Sequence, residues 1–341
     1  MSSKSSKRKY KNKLKRRTKP YNPNPNRIEN IHRTYRRQIT THKLSARNDK
    51  KYKLVFAPQN LSFINNTEEV LAFFSKANIH FSKRRQVEFD LSNIEFLTPE
   101  TIALFLAKIK DKNFTRGINW KGHGPNNPYL FKILKDSGFY NFVSSSVTVP
   151  NDSSNILINK ITKNKVENNI ARELCIKAVK NTFNNEKKFR PIYEILIECM
   201  ANTNNHASLE GEEKYNWWIF EYFDTLTNIT SFTFLDLGVG IFNSIPVRNF
   251  FRDIGVKLGL TSNVDLVDKL LAGEISSKTG KQERGKGMPL IYNRSQNSHI
   301  RKFHIISNDV HANLESGVYK KLNYNFAGTM LYWELHPLIN Q

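Results

Sequence analysis

The sequence predicts an α/β protein of two folded units behind a basic tail, and three observations predict it. Short apolar runs, some with period-two alternation, are interleaved with stretches of helical spacing from residue 52 onward. A segment rich in Ser, Asn and Asp divides that region near 146–164, and positive charge is concentrated in the first fifty residues. The expected organisation is a tail at 1–51, a first unit at 52–145, a linker at 146–164 and a second unit at 165–341. With 341 residues and 39% apolar side chains, the chain can build a core in each unit.

The tail carries 17 Lys and Arg in residues 1–50 against two acids, Glu29 and Asp49, and so holds most of the net charge of +23. Pro20, Pro23 and Pro25 interrupt any helix, and few apolar groups are available to bury, so this segment is expected to be disordered alone. Such a segment neutralises phosphates, with Tyr10, Tyr21 and Tyr35 placed to stack on bases, which points to nucleic acid as a partner of residues 1–50. A solubilising extension is the competing reading, and KRKYKNKLKRR at 7–17 also fits a nuclear address. The longest apolar run of the first half, at 102–107, is far short of the roughly 20 residues a membrane helix needs, so no membrane partner is expected. Met1 leads into Ser and Lys with no apolar core behind them, and only Cys175 and Cys199 are present. No secretory leader or disulfide framework is therefore expected, and the expected compartment is cytoplasmic.

In the first unit, strands are expected at 53–58 (KLVFAP), 86–91 and 117–120. Helices are expected near 68–76, at 99–110, where Ile102, Phe105, Leu106 and Ile109 share one side, and at 129–136 before Gly138. Thr98 reads as an N-cap ahead of Pro99 at the first helical position. His123 reads as a loop histidine with no partner cluster and no chemistry. The element order, with VEFDLSNIEFLTPETIALFLAKI followed by PYLFKILKDSGFYNF, resembles the STAS domain of anti-sigma-factor antagonists over about ninety residues. That resemblance implies a mixed sheet with helices and a docking role toward a protein partner. The family's phosphorylatable Ser falls at Pro99 here, beside Thr98 and Thr101, so its phosphoswitch is not expected in this chain.

In the second unit, PIYEILIECMANTNNHAS places Ile192, Leu196, Cys199 and Thr203 on one helical side facing a core. Glu198 and Asn202, four residues apart, are rotated by only about 40° and share another stripe, with Asn205 close by and His206 at its edge. A carboxylate can take a proton from attacking water, and an amide oxygen is a hard ligand suited to magnesium. Next, FTFLDLGVGIFNSI ends a strand at Asp236, followed by Gly238 and Gly240, where a carboxylate can accept from an exocyclic amine and backbone can approach a flat base. Arg284, Gly285, Lys286 and Gly287 precede an apolar helix and offer phosphate free N–H groups and positive charge. Gly328 and Thr329 open a terminal strand. Each motif alone is common, as an exposed helix face, a tight turn, a basic loop or a strand start.

Together, and in this order over about 170 residues, the four resemble the N, G1, G2 and G3 boxes of the GHKL superfamily, closest in form to anti-sigma serine kinases. The resemblance implies a two-layer α/β sandwich of the Bergerat type that binds ATP and Mg²⁺. It implies Glu198 as general base, Asn202 as magnesium ligand, Asp236 as adenine reader and Gly238 with Gly240 as the base-binding turn. Gly285 and Gly287 become hinges of a lid contained in 242–283, and Thr329 joins the adenine site. The sheet is expected from NWWIFEYF, TSFTFLDL, KFHIIS and GTMLYWEL, covered on one face by helices. The expected function is a regulatory ATPase or serine/threonine protein kinase with a STAS-like docking domain, an arrangement that allows a homodimer. The competing expectation is a noncatalytic ATP-gated nucleic-acid-binding or scaffold protein.

Overall fold

The computed structural model describes residues 51–148, 155–161, 166–185, 188–206, 216–244, 262–275 and 287–337. The chain is α/β, and Tyr52–Gln341 forms one compact unit. The basic tail at 1–50 lies outside the described residues, as do 245–261 and 276–286, the larger part of the expected lid.

The first segment runs β1 (Tyr52–Phe56), β2 (Asn60–Leu61), α1 (Thr67–Ser82), β3 (Gln86–Asp90), β4 (Phe96–Leu97), α2 (Pro99–Lys110), α3 (Lys112–Thr115), β5 (Trp120–His123) and α4 (Pro128–Asp136). Strands β1, β3 and β5 form a sheet in that order, and β2 pairs with β4. Every one of these pairings is parallel, where a mixed sheet was expected. Strand β5 begins three residues later than the expected 117–120. Arg116 and Gly117 both take left-handed backbone after α3, so the chain cannot extend until it has turned. Gly138 likewise takes left-handed backbone two residues after α4 ends, as its position predicts. Thr98 does occupy the N-cap of α2, but its hydroxyl makes no cap bond and instead contacts the buried carboxyl of Glu100, which Ser62 also reaches at 3.2 Å.

The second segment contributes β6 (Ile156–Ile161), α5 (Asn168–Phe183), α6 (Arg190–His206), β7 (Asn216–Asp224), β8 (Ile229–Asp236), α7 (Ile241–Ser244), α8 (Val267–Ala272), α9 (Gly287–Ser295), β9 (Ile300–Asn313) and β10 (Val318–Leu335). Its five strands form an antiparallel sheet in the order β6-β7-β8-β10-β9. Strand β6 lies within the stretch expected as linker, so the sheet starts before residue 165. Its lone edge position and single pairing with β7 explain why its sequence carries little pattern.

The largest departure from expectation is that helices cover both faces of this sheet. Side chains alternate along each strand. On one face Trp217, Ile219, Phe232, Phe234, Phe303 and Trp333 pack under α5 and α6. On the other, Trp218, Phe220, Leu235, Ile306, Phe326 and Met330 join one core with the helices of the first segment. Helix α2 lies between the small parallel sheet and the large one, which is why all of 102–107 is buried. The two segments therefore share a core instead of forming separate units joined by a linker. Phe63 meets Phe326 edge-on at 5.4 Å, Phe142 meets Trp218 at 5.5 Å, and Glu68 accepts from the Asn323 backbone at 2.8 Å. Thr67 adds a hydrogen bond to His311 at 3.0 Å.

A shared core makes unfolding a single event. Phe326→Ala is expected to cost about 3–5 kcal/mol by opening a cavity at the junction. Calorimetry on both proteins should show one transition moved to lower temperature, and two separately melting halves in the parent would contradict the shared core.

Candidate nucleotide site

Helix α6 starts with Pro191 next to its first residue, a position where the missing N–H is of no consequence. Ile192, Leu196, Cys199 and Thr203 are buried against the sheet, as their spacing predicts, so the neighbouring stripe with Glu198 and Asn202 is turned toward α9. Both side chains are half-buried. A methyl group placed on Gly287 would lie 2.7 Å from Asn202 Oδ1 and 3.0 Å from Glu198 Oε2. The two oxygens thus converge on the first residue of α9, where helix N–H groups lack intrahelical partners and the dipole is positive. Glu194 fixes this approach by pairing with Arg190 on its own helix at 2.5 Å and with Arg294 on α9. Burial, and then the nearby Glu194 charge, raise the Glu198 carboxyl above its ordinary value.

Asp236 ends β8, and the register places it in one transverse row with Thr329 of β10 and Ser307 of β9. Its Oδ1 accepts from the Gly238 N–H at 2.8 Å. Its Oδ2 accepts from the Thr203 hydroxyl at 3.4 Å, a single proton shared with the Cys199 carbonyl at 3.2 Å, and the Thr329 backbone N–H also reaches this carboxyl. The carboxyl is only 6% exposed, and its side-chain donor is a long one. Burial lifts the Asp236 carboxyl to about 6, opposed by hydrogen bonds from Gly238, Thr203 and Thr329. Gly328 is needed beside it: φ is 131°, and a side chain there would collide with the Asp236 carbonyl.

The structure adds two residues that the motif reading missed. Asn308 takes left-handed backbone and is 1% exposed. Its Oδ1 accepts from the Phe242 and Asn243 N–H groups at 3.0 and 3.3 Å, and its Nδ2 donates to the Val239 carbonyl at 2.9 Å. Ser307 Oγ accepts from Ile241 N–H and donates to the Gly328 carbonyl, both at 2.8 Å. These two side chains fasten the turn at 238–240 to β9 and β10. Gly240 must be glycine for the same reason, since φ is 84° and a methyl group would meet Asn308 Oδ1 at 2.5 Å. The available sequence signal was a polar Ser-Asn-Asp run interrupting an apolar strand, with Asn being the residue most able to adopt left-handed backbone.

The structure therefore brings Glu198, Asn202 and Gly287 together, and separately Asp236, Gly238, Gly240 and Thr329; Thr203 on α6 links the two groups through its contact with Asp236. Arg284, Gly285 and Lys286 lie outside the described residues. Asn205 and His206 fall on the last turn of α6, and their side chains also lie outside what is described. No group of three or more His, Cys, Asp or Glu able to hold a metal occurs among the described residues. Asn202 Oδ1 is a hard oxygen of the kind magnesium takes alongside water and phosphate. His123 departs from the expected lone loop residue: it ends β5 and contacts the Glu88 carboxylate, which Lys121 also reaches at 3.3 Å. Neither a family model nor a curated protein matches the chain.

Because folding raises the Asp236 carboxyl above its unfolded value, the ligand-free fold favours the protonated form. Stability contributed through this group is full below about pH 4, declines as pH rises toward 6 and is flat above, a loss on the order of 3 kcal/mol. Asp236→Asn should remove that decline and stabilise the ligand-free protein at pH 8. Urea midpoints at pH 4, 5, 6 and 8 check it, with equal pH profiles for parent and variant as the contrary result.

A second test concerns the clip. Asn308→Ala takes the partner from the buried Phe242 N–H, from the Asn243 N–H and from the Val239 carbonyl, so a loss of about 1–3 kcal/mol is expected in denaturant titration. A change below about 0.5 kcal/mol would place those bonds outside the fold's stability.

Proposed function

We propose that the second segment binds Mg-ATP in the manner of the GHKL superfamily and that the protein acts as a regulatory ATPase or serine/threonine protein kinase. What carries the reading is the convergence of Glu198 and Asn202 on the start of α9, with a buried carboxylate at the end of an adjacent strand. Asp236 Oδ2 accepts from the adenine amine, and Thr203 and Thr329 hold hydroxyls beside it. The turn from Gly238 to Gly240 lets backbone pass close to the base. Gly287, with no side chain, lets phosphate approach the N–H groups of α9, and any side chain there would intrude on Glu198 and Asn202.

Asn202 Oδ1 would hold magnesium, which supplies charge neutralisation on the phosphate oxygens. Glu198 acts as general base: Oε2 takes the proton of the attacking water, or of a protein hydroxyl, as its oxygen bonds to the terminal phosphorus and the bond from that phosphorus to the bridging oxygen breaks, ADP leaving with the electron pair. A carboxyl raised by burial is a stronger base than an exposed one, which favours that transfer. Phosphoryl transfer otherwise depends on positioning, which the Glu194 ion pairs and the Asn308 clip provide on the two sides of the site. The STAS-like segment is a docking layer for a protein partner that is already packed on the sheet carrying Asp236. Among the described residues no helix is long and apolar enough to cross a membrane.

Calorimetric titration with ATP and Mg²⁺ tests the reading. Saturable binding is expected in the parent and its loss in Asp236→Asn, while Glu198→Gln keeps affinity within a few-fold and loses turnover by about 10²–10⁴-fold. A parent with no saturable affinity for adenine nucleotides would end the proposal, and turnover indifferent to Glu198→Gln would favour the noncatalytic alternative.

A further inference from the structure

A cavity of about 440 Å³ opens beside β5, the outer strand of the small parallel sheet, within the size range of small-molecule sites. Its floor is apolar: Phe89, Phe105, Leu134, Phe139 and Phe142 contribute, and the first four are buried. Strand β5 forms one wall and is the last strand of its sheet, so its outer edge has no partner strand. His123 carbonyl is turned inward, accepting from the Leu91 N–H at 3.0 Å. By the alternation of a parallel ladder, the N–H and C=O of Gly122 face the open edge. Gly122 lines the cavity and has no side chain to keep a ligand from that backbone.

The charge of the lining is one-sided. Lys110, Lys121 and His123 line the cavity, and among the described residues no Asp or Glu does. Glu88 of β3 pairs with Lys121 and His123, whereas Lys110 forms no ion pair among the described residues. The Lys110 ammonium is thus available at the rim, which also offers a backbone donor above an aromatic floor. We infer that this cavity is a binding site for a small organic monocarboxylate with an aromatic or medium-chain alkyl body, its carboxylate held by Lys110 and the Gly122 N–H. The ligand body would lie against Phe142, whose other contact is Trp218 of the large sheet. The site requires nothing of the nucleotide reading and stands or falls separately from it.

The probes are 2-naphthoate and octanoate, titrated calorimetrically into the full chain, with neutral 2-naphthol as the uncharged counterpart. Saturable binding of at least one carboxylate is expected, weakened about tenfold or more by Lys110→Glu, with 2-naphthol insensitive to that change. Ile118→Trp, which narrows the mouth, should weaken both classes of probe. Lys110 is exposed, so its variants are expected to fold; Lys110→Gln repeats the measurement without charge reversal should Lys110→Glu melt early. Absence of saturable binding, or binding unmoved by both Lys110 variants and by Ile118→Trp, overturns the inference. So does capture of an acidic extended heptapeptide in place of either carboxylate, which would make the edge of β5 a strand acceptor.

Discussion

The structure depends on a sheet that has no solvent face. Strand β8 is buried at every position from Thr230 to Asp236 because α5 and α6 lie on one side of it and α2 on the other. A strand in that position is favoured when both of its alternating sets are apolar or satisfied, and TSFTFL largely meets this with Phe on one face and short Ser, Thr and Leu on the other, the Thr233 hydroxyl being without a partner among the described residues. Neither helical layer could be removed without exposing large aromatic surface. Hence the first segment is structurally required by the second, which differs from the exchangeable pairing that a STAS domain and an ATP-binding partner would have as separate chains.

That enclosure determines where chemistry can occur. Polar groups inside the sheet are costly unless paired, so the chain concentrates them where strands end and backbone leaves the ladder. Asp236, Thr329 and Ser307 form such a row, and the bulges of the β9–β10 pairing between Phe326 and Thr329 create the space for Gly328 and the left-handed Asn308. Helix α6 turns Glu198 and Asn202 toward α9 because its other stripe is fixed to the sheet by Ile192, Leu196 and Cys199. The placement of the candidate catalytic pair is thus a by-product of core packing, and the Glu194 pairs with Arg190 and Arg294 set only the separation of α6 and α9.

Much of this was readable in the sequence, and the misses have physical causes. Helix α2 was legible to the residue because Pro99 and its apolar spacing are local signals, and the stripe of Glu198 and Asn202 follows from helical geometry alone. Coverage of both sheet faces was not legible: a strand such as NWWIFEYF is apolar on most of both faces whether the second one meets a helix or another chain. The shared core was missed for the same reason, since no local pattern states which surface a run such as 102–107 will meet. Asn308 escaped notice because its role lies in three hydrogen bonds to residues more than sixty positions away. His123 was misread because its partner Glu88 is adjacent only through parallel pairing.

Two buried carboxylates show how to separate a site from a structural oddity. Glu221 is fully buried on β7, neither of its oxygens has a hydrogen-bond partner among the described residues, and burial pushes its carboxyl up to about 8 against the pull of Lys177. Burial thus favours its neutral form, and it behaves as a polar core residue. Asp236 is raised less, to about 6, because Gly238, Thr203 and Thr329 stabilise its ionised form, so near neutrality it stays charged at a cost. A buried carboxylate kept ionised by such donors retains lone pairs that can accept a further hydrogen bond without losing those it has. The same buried chemistry thus has opposite consequences at the two positions, and the difference comes from the backbone donors that the glycine turn aims at one carboxylate and not at the other.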